Sequence, residues 1–348
     1  MNTANKPIRA VALLSGGLDS MLAARIVKDQ GIYVEGLNFF TGFCVEGHTN
    51  SIRNHRPAKR NNALWVAEQL DIRLNIIDVI EEYKDVVINP KHGYGANLNP
   101  CLDCKSFMVG KARQWMEANS FDFIVTGEVL GQRPMSQRRD TFPIVQRESG
   151  ANDLLLRPLC AKLLHPTLPE RKAWVDRKQL HDFSGRGRRP QIELAKTLNI
   201  KDYAQPAGGC CFLTDPNYTA KLKDMWSARR EKSYDLDDVM LLKVGRHLRP
   251  AQHYKMIIAR DSGETNYLQG YRHRYDHLVM ISHRGPITLL DGDVTSDDVF
   301  FAARIAARFG QGRKAPRVTF ISVKPDGTER RISVAPLSPS EIMDSWYL

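Results

Sequence analysis

Two regimes of hydrophobic patterning divide this chain. In its first third, four short apolar runs at 8–14, 32–39, 72–79 and 121–126 read as buried parallel strands. Helical spacing fills the intervals, over 21–27, about 57–70 and 101–119. Strands alternating with helices predict a parallel sheet covered on both faces, with ligands beyond the carboxyl ends of its strands. The turn after residue 14 and the loops 40–56 and 127–143 would gather at that edge. From 151 to 233 the pattern is mainly helical, with helices expected over 169–181, 188–198 and 216–231. From 234 onward it changes to short strand-like runs (253–259, 277–281, 286–290, 317–323, 329–334) and one helix near 296–309, an α+β pattern. The expected organisation is therefore an α/β parallel-sheet domain over 1–165, a helical extension over 166–233 and an α+β domain over 234–348.

Composition narrows the class. The 348 residues are 42% hydrophobic and 26% charged, ordinary for a globular protein. No apolar run approaches the ~20 residues of a membrane helix, and residues 1–9 lack the apolar core of a signal peptide, so a cytoplasmic protein with no membrane partner is expected. Six cysteines in a chain of this length do not make a disulfide framework; close pairs in a reducing compartment point to metal, cluster or redox chemistry. The net charge of +11 is partly clustered: residues 171–190 hold seven Lys/Arg against two Asp, and 243–284 hold eight Lys/Arg against three acids. A polyanionic partner follows.

The sharpest chemistry is at Ser15-Gly16-Gly17-Leu18-Asp19-Ser20, directly between the first strand and the first helix. Two glycines admit close approach of an anion. Ser15 and Ser20 add hydroxyl donors, and the helix N-terminus favours phosphate oxygens. Asp19 would repel phosphate directly and makes sense as a ligand of Mg²⁺ between them. The string resembles the PP-loop of ATP pyrophosphatases, which split ATP to AMP and pyrophosphate. It is not the Gly-Lys-Ser/Thr pattern of P-loops.

Asn99-Pro100-Cys101-Leu102-Asp103-Cys104-Lys105 opens the helix over 101–119. Thiols at i and i+3 share a helical face, and a helix N-terminus and a neighbouring lysine both lower a thiol pKa. The pair suits a metal, an iron–sulfur cluster or a dithiol; Cys210-Cys211, in a Gly-Gly turn, offers a third thiol. The loop after the fourth strand reads Thr126-Gly127-Glu128-Val129-Leu130-Gly131-Gln132, then Ser136-Gln137, with groups able to hold ribose or base.

Taken together, Ser-Gly-Gly-Leu-Asp-Ser, Cys-Leu-Asp-Cys-Lys and Thr-Gly-Glu-x-Leu-Gly-Gln are similar to the adenylation domain of the 4-thiouridine tRNA sulfurtransferases, over roughly residues 8–215. More loosely, Asn99 to Cys104 resembles the Asn-Pro-x-x-x-Cys of the 2-thiouridylases. The segment from Lys243-Val244-Gly245-Arg246 onward resembles the RNA-binding domain of the NFACT proteins. The resemblance implies an adenine nucleotide alpha hydrolase-like fold and an ATP-dependent tRNA sulfurtransferase. ATP would lie on Ser15, Gly16, Gly17, Asp19, Ser20, Thr126 and Gly127, with Asp19, Cys104 and Cys210 catalytic. Cys101, Cys104 and Cys210, with Cys211 as alternate, would hold a [4Fe–4S] cluster; a persulfide on Cys104 or Cys210 is the competing sulfur route. The sulfur donor would be separate, a cysteine desulfurase or free sulfide. Contacts to tRNA are expected from Arg186, Arg188, Arg189, Arg246, Arg249, Arg272 and Arg274. Two other readings share the residues: a PP-loop synthetase acting on another acceptor, and a non-catalytic RNA-binding factor. No glycine motif of a methyltransferase is present.

Overall fold

A computed structural model describes residues 6–44, 61–204 and 211–348. They form two compact units, the first running to Thr214 and the second from Asp215 to Leu348.

The first unit is built on five strands: β1 (Arg9–Leu13), β2 (Tyr33–Phe40), β3 (Leu74–Asp78), β4 (Phe123–Val125) and β5 (Leu155–Leu156). All pairs are parallel, in the order β3-β2-β1-β4-β5. Strand alternation sends side chains to opposite faces. Ala10, Ala12, Val34, Phe123 and Val125 pack under the Leu18–Lys28 helix on one face. Val11, Leu37, Phe39 and Ile124 pack under the Cys101–Ala118 helix on the other. This is the α/β parallel-sheet class the apolar runs predict. Chain order reverses between β1 and β4, so the crevice outside their carboxyl ends is the natural ligand position.

Val175, Leu180, Ala195 and Ile200 join the same core as Ala10 and Leu22. The continuous helix expected over 169–181 does not form. A short helix, Leu168–Arg171, and a 3-10 turn, Arg177–Gln179, stand there instead. Ala173 takes a left-handed conformation at φ 54°. The break lets Trp174 stack on Phe123 and buries Val175, so tertiary burial overrides helical spacing.

The second unit is a six-stranded antiparallel sheet of β6 (Arg246–Ala251), β7 (Tyr254–Ile258), β8 (Asp276–Met280), β9 (Thr288–Gly292), β10 (Val318–Val323) and β11 (Glu329–Val334). Their order is β11-β10-β8-β9-β7-β6. The Ser296–Ala307 helix covers one face through Ala302, Ala303 and Ala306. Tyr267, Leu268 and Tyr271 cover Ile257 and Leu289 on the other. It is the expected α+β domain. The stretch 266–275, with its interleaved tyrosines and arginines, is the last turn of a helix (Ser262–Gln269) followed by turns, and Tyr267, Tyr271 and Tyr275 pack against the core.

Candidate active site

The Ser15–Ser20 turn leaves β1 and enters the Leu18–Lys28 helix. Gly16 takes φ 76°, a conformation glycine adopts without strain. Ser20 Oγ donates to Gly17 O at 2.8 Å and accepts from Ser15 N at 3.3 Å, closing the turn on itself. No side chain caps the helix, whose N-cap is Gly17. Its first N–H groups are therefore left for an external anion, as at other phosphate-binding helix starts. A Cβ at Gly17 would meet only Ser15 Oγ, at an ordinary 3.5 Å. The fold itself does not require that glycine.

Asp19 is held from two distant segments. Gln132 Nε2 donates to Asp19 Oδ2 at 2.6 Å, and Arg188 Nη1 lies 3.2 Å from the same oxygen. Gln191 Nε2 donates to Gln132 Oε1 at 3.0 Å, extending the network. Asp19 Oδ1 is buried and has no hydrogen-bond partner. An orphaned carboxylate oxygen beside an uncapped helix start is the kind of donor that suits Mg²⁺.

Gly127 packs the β4 loop against the turn. Its Cα packs on the Asp19–Ser20 peptide, where a Cβ would stand 2.4 Å from Asp19 C and Ser20 N. Thr126 is buried, and its hydroxyl donates to Glu128 Oε2 at 2.9 Å. Glu128 and Arg157 form a buried ion pair at 3.1 Å, with the guanidinium 4.0 Å from the Phe142 ring centre. Burial opposes the charge on Glu128, yet Arg157 and Lys105 together hold its carboxyl below the ordinary value. Cys160 donates to Glu128 O, and burial pushes its thiol up to about 12. It is a structural thiol.

The thiols sort differently from their spacing. Cys101 donates to Ser136 Oγ at 3.1 Å. Cys104, one turn on, hydrogen-bonds the buried Tyr83 hydroxyl. Burial raises that hydroxyl well above 10, and negative charge on Cys104, Cys211 and Cys44 adds to the shift. Cys44 and Cys211 face each other across an isolated antiparallel bridge, with Phe212 N donating to Phe43 O at 2.9 Å. That bond makes them a non-hydrogen-bonded pair, the closer of the two cross-strand spacings. Tyr83 thus touches Cys104, and the paired Cys44 and Cys211 lie near enough to act on its hydroxyl. Cys44 had no signal in the sequence beyond its residue type. Cys210 lies outside the described residues. Among the described residues, no group of three or more His, Cys, Asp or Glu side chains is arranged to hold a metal ion. A cluster on Cys101, Cys104 and Cys211 does not fit that arrangement.

The expected RNA contacts also separate. Arg188 is committed to Asp19. Arg189 pairs with Glu193 at the surface, and Arg186 is exposed. In the second unit Arg249 is paired with Asp224, and Arg274 with Asp235 and Asp237. Arg272 donates to Gln269 O, and Arg246 lies over the Phe309 ring.

The turn, the β4 loop and the Tyr83 thiols all leave the carboxyl ends of β1, β2, β3 and β4. A cavity of about 770 Å³ lined by Lys28, Gly31, Tyr33, Asp71 and Arg73 opens at the amino ends of β2 and β3, the opposite edge. The fold is a five-stranded parallel α/β domain with a Ser-Gly-Gly-x-Asp-Ser turn at the carboxyl end of its first strand, followed by an antiparallel-sheet domain. Residues 8–144 match the family model described as "tRNA methyl transferase HUP domain", and residues 245–347 match "NFACT protein RNA binding domain". The tRNA-specific 2-thiouridylase MnmA of Petrotoga mobilis is 26% identical over 66% of this chain and 62% of that protein. MnmA of Karelsulcia muelleri is 29% identical over 86% of this chain and 76% of that protein. The chain spans about 62% of the length of the Petrotoga mobilis and Treponema denticola relatives. A solved 4-thiouridine synthetase in complex with RNA and ATP aligns at 19% identity and a TM-score of 0.40, over 68% of this chain and 52% of that one.

Proposed function

We propose that the chain is an ATP-dependent tRNA sulfurtransferase that activates a uridine carbonyl as an adenylate and replaces its oxygen by sulfur. One observation carries this reading: Cys104 hydrogen-bonds Tyr83, with Cys211 near enough to act on the same hydroxyl, at the sheet edge that also bears the uncapped Ser15–Ser20 turn. The activity named for the MnmA relatives and the RNA-binding family matched by residues 245–347 agree with it. The word methyl transferase in the HUP description finds no matching glycine motif in this sequence. In functional terms, residues 1–165 are read as the adenylation segment, 166–233 as the extension that brings the second thiol loop, and 234–348 as the RNA-binding segment.

Ser15, Gly16, Gly17 and Ser20 would cradle the pyrophosphate end of ATP, and Asp19 would hold Mg²⁺, which offsets phosphate charge. Thr126 and Gly127 bring the β4 loop against the turn. The uridine oxygen attacks the α-phosphorus and pyrophosphate leaves. RNA binding makes that attack effectively unimolecular, and the N–H groups of the turn stabilise the departing charge. The target base leaves its stack to reach the edge.

For the sulfur step we favour thiols over a cluster, because Cys101 is turned to Ser136 while Cys104 and Cys211 share Tyr83. A persulfide on Cys211, loaded by a separate donor, adds its terminal sulfur to the activated carbon, and AMP leaves with the original oxygen. Cys104 thiolate then attacks Cys211 Sγ. The S–S bond breaks toward the carbon-bound sulfur, giving the thiocarbonyl and a Cys104–Cys211 disulfide. An external dithiol reduces that disulfide. Cys44, across the bridge from Cys211, is placed to resolve the same persulfide. Stoichiometric iron in an anaerobic preparation would favour the cluster of Cys101, Cys104 and Cys210 instead.

The test is nucleoside mass spectrometry of total tRNA from cells with and without the gene. Loss of one thiolated nucleoside, restored by the wild-type chain but not by Asp19→Ala or Cys104→Ser, is the expected result. An unchanged set of thiolated nucleosides refutes the reading.

A further inference from the structure

Two stretches of the second unit contain no acidic residue, 277–290 and 299–325. The fold brings them together at one end of β8 and β10. Ile281 N donates to Thr319 O at 2.9 Å, Thr319 N donates to Ser282 Oγ at 2.9 Å, and Gln311 N donates to Arg284 O at 2.8 Å. Gly312 closes the junction: a Cβ there would stand 2.7 Å from Val318 Cγ2 and 3.0 Å from His283 Nδ1. Arg308 Nη1 donates to Arg313 O at 2.9 Å, and the Arg246 guanidinium lies 5.3 Å from the centre of the Phe309 ring. Arg246, Arg284, Arg308, Arg313, Lys314 and Arg317 are thereby carried on adjoining segments. Arg284, Arg313, Lys314 and Arg317 are exposed.

These six lack counter-charge, and they lie together on segments without a single acid. Among the described residues none of them makes an ion pair with a carboxylate, whereas Arg229, Arg249, Arg260, Arg274 and Lys255 of the same unit all do. A cation at a helix C-terminus complements the dipole, which accounts for Arg308 but not for Arg284 or Arg317. We propose that this acid-free patch grips the phosphate backbone of the RNA, and that the ion-paired Arg249, Arg260 and Arg274 are structural. The proposal rests on the reading of the chain as acting on tRNA. Unneutralised arginine and lysine gain by releasing counterions from phosphate, and such contacts fix position without reading sequence. With the Phe309 ring covered by Arg246, the patch offers charge and not a stacking platform.

The test compares the full-length wild type with Arg284→Ala/Arg313→Ala/Lys314→Ala and with Arg274→Ala, measuring filter binding to an unmodified tRNA transcript between about 50 and 200 mM salt. Loss of three phosphate contacts should lower the slope of log K against log salt by about 2–3. It should weaken binding at least about tenfold at physiological salt, with the melting temperature unchanged. Arg274→Ala should keep the wild-type slope and melt lower. A triple variant with the wild-type slope overturns the proposal, as does a wild type that ignores tRNA and binds anionic vesicles through the same residues. If the wild type thiolates tRNA while the triple variant keeps its slope, only the patch is wrong. If the slope falls but no thiolation is found, the patch stands and the sulfurtransferase reading falls.

Discussion

Gly127→Ala separates what holds the nucleotide site together from what the nucleotide itself needs. The added methyl would lie 2.4 Å from Asp19 C and Ser20 N and 2.5 Å from Asp19 O, all backbone atoms, whereas ordinary contact begins at 3.4 Å. The two segments must part by about 1 Å, and neither has a flexible side chain to give way. Overpacking of this kind costs about 1–3 kcal/mol, and rigid neighbours put it at the upper end. For a unit of this size that is a fall in melting temperature of roughly 6–12 °C. The displacement also stretches the 2.6 Å bond from Gln132 to Asp19, and a misplacement of about 1 Å at a reacting centre can cost roughly 100-fold in rate. Gly17→Ala is the counterpart. Its φ is −88° and its Cβ meets only Ser15 Oγ at 3.5 Å, so the fold accepts it. On the proposed reading its methyl instead occupies the space through which phosphate would approach. Thermal melts with and without Mg-ATP, together with tRNA-dependent AMP release, read both. Expected are a large loss of stability and activity in Gly127→Ala, and an unchanged melt with weakened ATP binding in Gly17→Ala. A Gly127→Ala protein that melts within about 1 °C of wild type and binds ATP normally would refute the packing argument.

Other expectations follow from buried charge and from the thiols. Arg157→Met leaves Glu128 buried and unpaired and should cost about 3–5 kcal/mol in urea unfolding, with Arg157→Met/Glu128→Gln recovering much of it; equal loss in single and double variants would contradict this. His247 is buried, its Nε2–H shared between Leu241 O and Val244 O. Burial, then Lys221 and Lys255, holds it well below 6.5. The unfolded chain therefore binds the extra proton, so stability is level above about pH 6.5 and falls as pH drops below it. His247→Gln should flatten that part of the stability–pH curve, and an unchanged curve would assign the slope elsewhere. After a single turnover without reductant, disulfide mapping should find Cys211 joined to Cys104 or Cys44; a linkage of Cys101 would overturn the thiol assignment.

The parallel sheet was legible because buried strands announce themselves as short apolar runs, and its site was legible where glycines and polar residues interrupt such a run, as at Ser15–Ser20. Pairing between distant segments was not. Cys44 lies in a polar loop with no spacing rule to single it out, and only the bridge to Cys211 reveals it. Arg249 and Arg274 read as nucleic-acid contacts by charge, but Asp224 and Asp235 reach them from other elements. The acid-free run 299–325 was missed for the converse reason: half of it is an amphipathic helix and a core strand, which hide an unpaired cluster of charge.

The bracing of the Ser15–Ser20 turn has a consequence for biosynthesis. Gly17 bridges Ala204, and Asp19 depends on Arg188 and on Gln132, which Gln191 holds in turn. A ribosome delivers the turn first and these supports much later. A nascent chain that has just completed β4 carries the phosphate-binding motif without the groups that fix its carboxylate. On the proposed reading, the turn is braced as a pocket for ATP only after Ala204 has emerged, when the rest of the first unit is present to use it.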